Sequence, residues 1–205
     1  MISAASSPAT LGRWAWWLTA LTILWNTLEA IIAIASGVEA GSVALIGFGL
    51  DSVVEVSSAL VITWRLTRGA SEAAERRAVR LIALSFFAIA AYVTLDAALK
   101  LLGFDAHPGY STIGLALTAL SLVVMPSLAW AKRRVAAGLN SVALKADAAE
   151  TQLCTYLSAV VLLGLAANTL AGWWWMDPLA GLVVAVLAVK EGREAWTSGD
   201  LCECC

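Results

Sequence analysis

Long apolar stretches broken by short polar ones dominate this chain, at a length that fits neither strands nor the amphipathic helices of a water-soluble bundle. They run 14–35, 43–64, 81–102, 111–130, 142–165 and 173 to about 189. A helix needs about 20 mostly apolar residues to cross the hydrocarbon core of a bilayer. Each stretch therefore reads as a transmembrane helix, the sixth having the shortest strictly apolar part. Asp177-Pro178 supplies a start signal there, with Asp as N-cap and Pro at the first helical position. The breaks are short, which makes neighbouring helices antiparallel. The predicted fold is an all-α bundle of six transmembrane helices.

Composition agrees. Hydrophobic residues form 60% of the chain, charged residues 14%, and mean hydropathy is +0.82. Soluble domains carry roughly 45–50% apolar and about 25% charged residues. The chain divides into a short N-terminal tail over 1–12, a membrane domain over 13–196, and a Cys-rich tail over 197–205. The first twelve residues lack the features of a cleaved signal peptide, so the first apolar stretch is expected to remain as a helix.

Charge placement sets the expected orientation. Of the 13 lysines and arginines, all but Lys100 fall at one set of helix ends. By the positive-inside rule both termini are cytoplasmic, and the connections near residues 40, 106 and 170 face outward. Trp14, Trp16, Trp17, Trp64, Trp130 and Trp173-Trp174-Trp175 fall at predicted interfaces, where amphipathic indoles anchor. Localisation follows as an integral, multi-pass protein of the cell's inner or plasma membrane, with the lipid bilayer as its first partner. The basic residues serve topology, so nucleic-acid binding is not expected.

A short similarity links two spans. Ser42-Val-Ala-Leu45 opens the second and Ser141-Val-Ala-Leu144 the fifth. Nine residues beyond each Ser lie Asp51 and Glu150; thirteen beyond lie Glu55 and Cys154. The two spans cross in opposite directions, as in an inverted repeat.

Ionisable residues within a span cost about 2.5–3.5 kcal/mol each on insertion scales, and usually line a pathway or site. Here they are Glu29, Asp51, Glu55, Asp96, Asp147 and Glu150, with Cys154 as a potential thiolate. No Lys or Arg is expected deep in any span, so the acids have no basic partner and call for a cation or protons. Asp51 with Glu55, and Glu150 with Cys154, are i,i+4 pairs on single helix faces. Counted from the two serines, both pairs fall near the bilayer midplane. Two facing pairs offer four ligands, which suits a tetrahedral divalent ion. The plainer alternative is that Asp51 and Glu55 are protonated core residues and Cys154 a small hydrophobe. Asn26, Glu29 and Asp147 are expected as supporting or proton-path groups. Asp96 and Lys100 read as a simple i,i+4 pair, and His107 as a solvated loop residue.

The segments from Ser42 to Leu66, from Ser141 to Cys154, and from Asp177 to Ala188 resemble spans two, five and six of the cation diffusion facilitator (cation efflux) family. That resemblance implies six spans, cytoplasmic termini, a homodimer, and export of Zn²⁺ or related ions in exchange for protons. It also implies a transport site at Asp51, Glu55, Glu150 and Cys154. The family's fifth-span pair is His and Asp, where this chain has Glu and Cys. Three carboxylates suit Mn²⁺, while a thiolate favours Zn²⁺, Cd²⁺ or Co²⁺. The chain stops soon after the sixth span, so a member consisting of the transmembrane domain alone is expected. Cys202, Cys204 and Cys205 form a cytoplasmic thiol cluster with the chemistry for metal capture.

The reading is a divalent-cation transporter working as a metal/proton antiporter by alternating access. Metal binding needs deprotonated ligands and so releases protons. The rival is a membrane-embedded sensor or buffer that binds metal without moving it. No Ser/His/Asp set, GxSxG, P-loop or HExxH is present, so neither an enzyme nor a catalytic cofactor is expected. The metal enters as transported substrate.

Overall fold

The computed structural model describes residues 8–68, 72–105, 107–139 and 142–198. Ser141 and the tail cysteines Cys202, Cys204 and Cys205 lie outside the described residues. Within them the regular structure is helical throughout: α1 Pro8–Ala40, α2 Val43–Arg68, α3 Glu72–Leu101, α4 Thr112–Leu139, α5 Val142–Ala171 and α6 Met176–Ser198. Helices α1 to α5 are long and apolar enough to cross a membrane. Charge shortens the apolar part of α6, with Asp177 at its start and Lys190, Glu191, Arg193 and Glu194 toward its end.

The helices outrun the apolar stretches that announced them. α4 continues to Leu139, well past Trp130, and α1 begins at Pro8. Apolar patterning marks only the part of a helix that matches lipid, and Lys, Arg and Ala continue a helix readily beyond it.

Three connections join the helices at the end opposite most of the basic residues. Each carries a left-handed glycine just after a helix: Gly41 (φ 63°), Gly103 (φ 77°) and Gly172 (φ 68°). Glycine adopts that conformation without a Cβ penalty and lets the chain cap the preceding carbonyls. Phe104 N–H, for example, donates to Leu99 O at 2.9 Å. The turns are also tied to one another. Gly109 N–H donates to Ala40 O at 2.7 Å, and the Asn168 amide donates to Pro108 O and Gly109 O at 3.2 and 3.1 Å.

Packing divides the bundle into two parts. α1, α2, α5 and α4 form a four-helix ring in which each contacts the next, and α3 pairs with α6. The α3–α6 pair leans on α2, and α6 also touches α5, so α2 and α5 form the wall between the parts. Accordingly α2 is the most buried span, 67% of its apolar window against 33–39% for the others. Large apolar side chains such as Leu24, Ile31, Leu95, Val123 and Leu163 point outward, as a lipid-facing surface requires. Trp16, Trp17, Trp130, Trp173 and Trp175 are also outward-facing, in keeping with interfacial anchoring.

Asp177 departs from its expected role as the cap of α6. The helix already includes Met176, so Asp177 sits in its first turn. Its fully buried carboxylate instead accepts from Ser42 Oγ and, at 3.0 Å, from Val43 N–H. It therefore caps α2 from across the bundle. Ser42 Oγ in turn accepts from Leu45 N–H at 3.1 Å. Close approach makes this contact possible: a Cβ on Gly181 would lie 2.9 Å from Val43 Cγ1.

Candidate functional site

The acidic side chains collect on both faces of the α2–α5 wall. On the side of α3 and α6, a cavity of about 20 Å³ is lined by Asp51 and Glu55 of α2, Glu150 of α5 and Glu191 of α6. Phe86, Leu153, Leu157, Leu187 and Ala188 complete it. A space of that size holds one water or one bare ion, not a hydrated cation. The i,i+4 spacing in α2 and the opposed direction of α5 bring the three expected carboxylates to one place. Ser58 Oγ donates to Glu150 at 3.0 Å. Glu55 is buried, and neither of its oxygens has a hydrogen-bond partner.

Cys154, the fourth expected ligand, is fully buried but turned into the four-helix ring. Its thiol makes a long, weak contact of 3.9 Å with Glu29 Oε2. The same thiol also lies beside the Glu55 side chain, a loose contact outside normal hydrogen-bond range. Among the described residues, no three His, Cys, Asp or Glu side chains are drawn together tightly enough to grip an ion. The expected residues share a region but do not form a closed tetrahedral set in this conformation.

Glu29 of α1 is the centre of a second polar cluster. It accepts from Ser52 Oγ of α2 at 2.9 Å and from Ser121 Oγ of α4, and Trp25 Nε1 donates to that same serine at 3.3 Å. Asn26, one turn nearer the basic end of α1, is fully buried, with both polar atoms of its amide unpartnered.

The expectation that the acids lack a basic neighbour is wrong at Asp147. Lys132 of α4 is fully buried and places Nζ 2.8 Å from Asp147 Oδ2 and 2.9 Å from Thr151 Oγ1. α4 does not end at Trp130, and helical side chains lean toward the helix N-terminus. The lysine stem thus carries its ammonium inward, close enough for its charge to act on Glu55 and Glu150. Asp147 is consequently one half of a buried ion pair. It also lines a larger cavity of about 240 Å³, together with Gly12, Ala15, Trp16 and Thr19 of α1, Ala59 and Thr63 of α2 and Leu144 of α5.

Two other expectations hold in part. Lys100 Nζ does meet Asp96 at 2.6 Å, and also Asp105 at 3.6 Å. His107 is exposed but stacked on Trp174, with ring centroids 4.0 Å apart.

Lys132 and Glu191 were the residues that span-by-span reading missed. Both continue buried stripes at helical spacing: 121, 125, 128 and 132 in α4, and 184 and 188 in α6, which half-buried Glu191 extends. Following those stripes past the apolar boundary would have found them. Ser52 and Ser121 carried the signal of small polar residues within apolar spans, which commonly bond between membrane helices.

The sequence of the chain matches known proteins. The chain is 30% identical over 163 residues to an uncharacterized transporter of Synechocystis sp., covering 74% of this chain and 52% of that one. It thus spans about half the length of the curated relative it matches. The cation efflux transmembrane domain matches residues 19–199, nearly the whole described bundle, and the chain therefore belongs to the cation efflux family.

Proposed function

We propose that this chain moves divalent metal cations across the membrane, with Asp51, Glu55, Glu150 and Cys154 binding the ion and protons moving the opposite way. The observation that carries the reading is Glu55. A carboxylate buried at membrane depth normally finds a donor, because leaving it unpaired is expensive. Glu55 has none, and it shares its cavity with Asp51 and Glu150. Such a group is matched by a bound cation or by protons. Membership of the cation efflux family supports cations as the substrate.

Carboxylates with one thiolate favour Zn²⁺, Co²⁺, Cd²⁺ or Mn²⁺ over alkali ions. Protons and metal compete for the same oxygens, so loading releases protons and proton uptake expels the metal. On the positive-inside rule the basic helix ends and both termini are cytoplasmic, and protons entering from outside displace the metal outward. The working unit is a homodimer. Cys202, Cys204 and Cys205 present soft ligands on the cytoplasmic side for metal capture.

The test is a metal panel with purified protein in liposomes. Zn²⁺, Co²⁺, Cd²⁺ and Mn²⁺ fluxes are measured for the parent and for Asp51→Ala. The expected result is flux of at least one of these ions that falls to the protein-free level in the variant. Equal flux in both proteins rejects the site.

A further inference from the structure

Sequence spacing places the ion between α2 and α5, yet the structure also furnishes the other face of that wall. Glu29 contacts Ser52 of α2, Ser121 of α4 and Cys154 of α5, so these four side chains share one level. α1 and α2 are antiparallel. Three residues before Glu29 is Asn26, and three residues after Ser52 is Glu55, so both offsets lead toward the basic end by the same rise. α5 runs parallel to α1, and the same step back from Cys154 reaches Thr151. Asn26 and Glu55 therefore stand at a common level on adjoining helices, just below the Glu29–Cys154 contact. They are also the two side chains at this depth whose polar atoms are all buried and unpartnered.

An amide and a carboxylate without hydrogen-bond donors, beside a thiol and a second carboxylate, offer oxygen and sulfur ligands next to the Lys132–Asp147 pair. We propose that Asn26 and Glu29 of α1 form, with Cys154 and Glu55, a second resting position for the divalent cation inside the four-helix ring. This rests on the proposed function and extends it: Glu55 and Cys154 belong to both positions, and the ion steps past them from the Asp51–Glu150 side to the α1 side. The inner position suits an ion of intermediate softness, with an amide oxygen, carboxylates and one sulfur as ligands. Lys132, whose ammonium is held between Asp147 and Thr151, borders this position on the side of the basic helix ends and repels the ion from returning that way.

Co²⁺ bound to a thiolate gives a charge-transfer absorption band, which makes Cys154 a reporter. The full chain carrying Cys202→Ser, Cys204→Ser and Cys205→Ser is titrated with Co²⁺ in detergent, with gel filtration as the folding control. The parent is expected to show the band, and Cys154→Ser to lose it. Asp51→Asn is expected to keep the band, because the inner position remains. Adding Glu29→Gln to Asp51→Asn is expected to abolish it. Asn26→Asp in the Asp51→Asn background is expected to tighten Co²⁺ at least ~10-fold, the scale by which groups around a metal change affinity. Loss of the band in Asp51→Asn alone, or no change with Asn26→Asp, overturns the inner position and leaves the proposed function standing. Absence of any band in the parent overturns both.

Discussion

Helix α2 holds two kinds of buried acid contact, and they could hardly differ more. At its N-terminal end the Asp177 carboxylate is fully enclosed and fully used, taking the Ser42 hydroxyl and the Val43 amide. At its middle, Glu55 is enclosed with both oxygens idle. The fold evidently can supply donors to a buried carboxylate, since it also does so for Glu29 and Asp147. Leaving Glu55 without them is a cost of the kind that functional sites carry and structural sites avoid. On the proposed function, the difference separates acids that hold the bundle together from acids kept for a ligand.

Substitutions sharpen that division, beginning with the largest effect. Glu55→Gln is expected to lower metal affinity by more than ~100-fold, beyond the usual range for groups that merely support a metal site. Yet it should leave the unfolding midpoint in detergent unchanged or higher. Isothermal titration and thermal unfolding read the two quantities. A stability loss with affinity intact would move Glu55 to the structural class.

Lys132→Met is expected to do the reverse. It strands Asp147 in the interior, and breaking a buried pair costs about 3–5 kcal/mol. Asp147→Asn added to it should recover much of that loss, which a double-mutant comparison by unfolding would detect. Asp177→Ala comes next. It leaves a hydroxyl and an amide unpaired at the start of α2, at a cost of about 1–3 kcal/mol. Lys190→Ala marks the floor. Its 3.6 Å contact with Glu194 is exposed on both sides, so the change should stay within ~0.5 kcal/mol.

What the sequence disclosed follows the same physics. Apolar runs long enough to cross lipid have little alternative to helices, so the six elements and their antiparallel order were readable. The i,i+4 step from Asp51 to Glu55 was readable because helical spacing alone puts both on one face. The direction of Cys154 was not: its spacing from Glu150 matches, yet its thiol reaches Glu29 of α1, a contact set by how α1 packs on α2 and α4. Lys132 was misjudged because a lysine at the edge of an apolar run resembles a topology signal. Only the continuation of α4 and the reach of its side chain turn it inward. Asp177 was assigned to its own helix because caps are local by habit. Its partner is 134 residues away in sequence.

The most direct measurement is made in liposomes holding a pH dye, with Zn²⁺ or Co²⁺ applied to one side of the protein and to its Glu55→Gln form. The expected record is metal movement with an opposite, proportionate proton movement in the parent, and neither in the variant. Metal that crosses without moving protons would refute the exchange, and undiminished transport by Glu55→Gln would contradict the role given to the unpaired carboxylate.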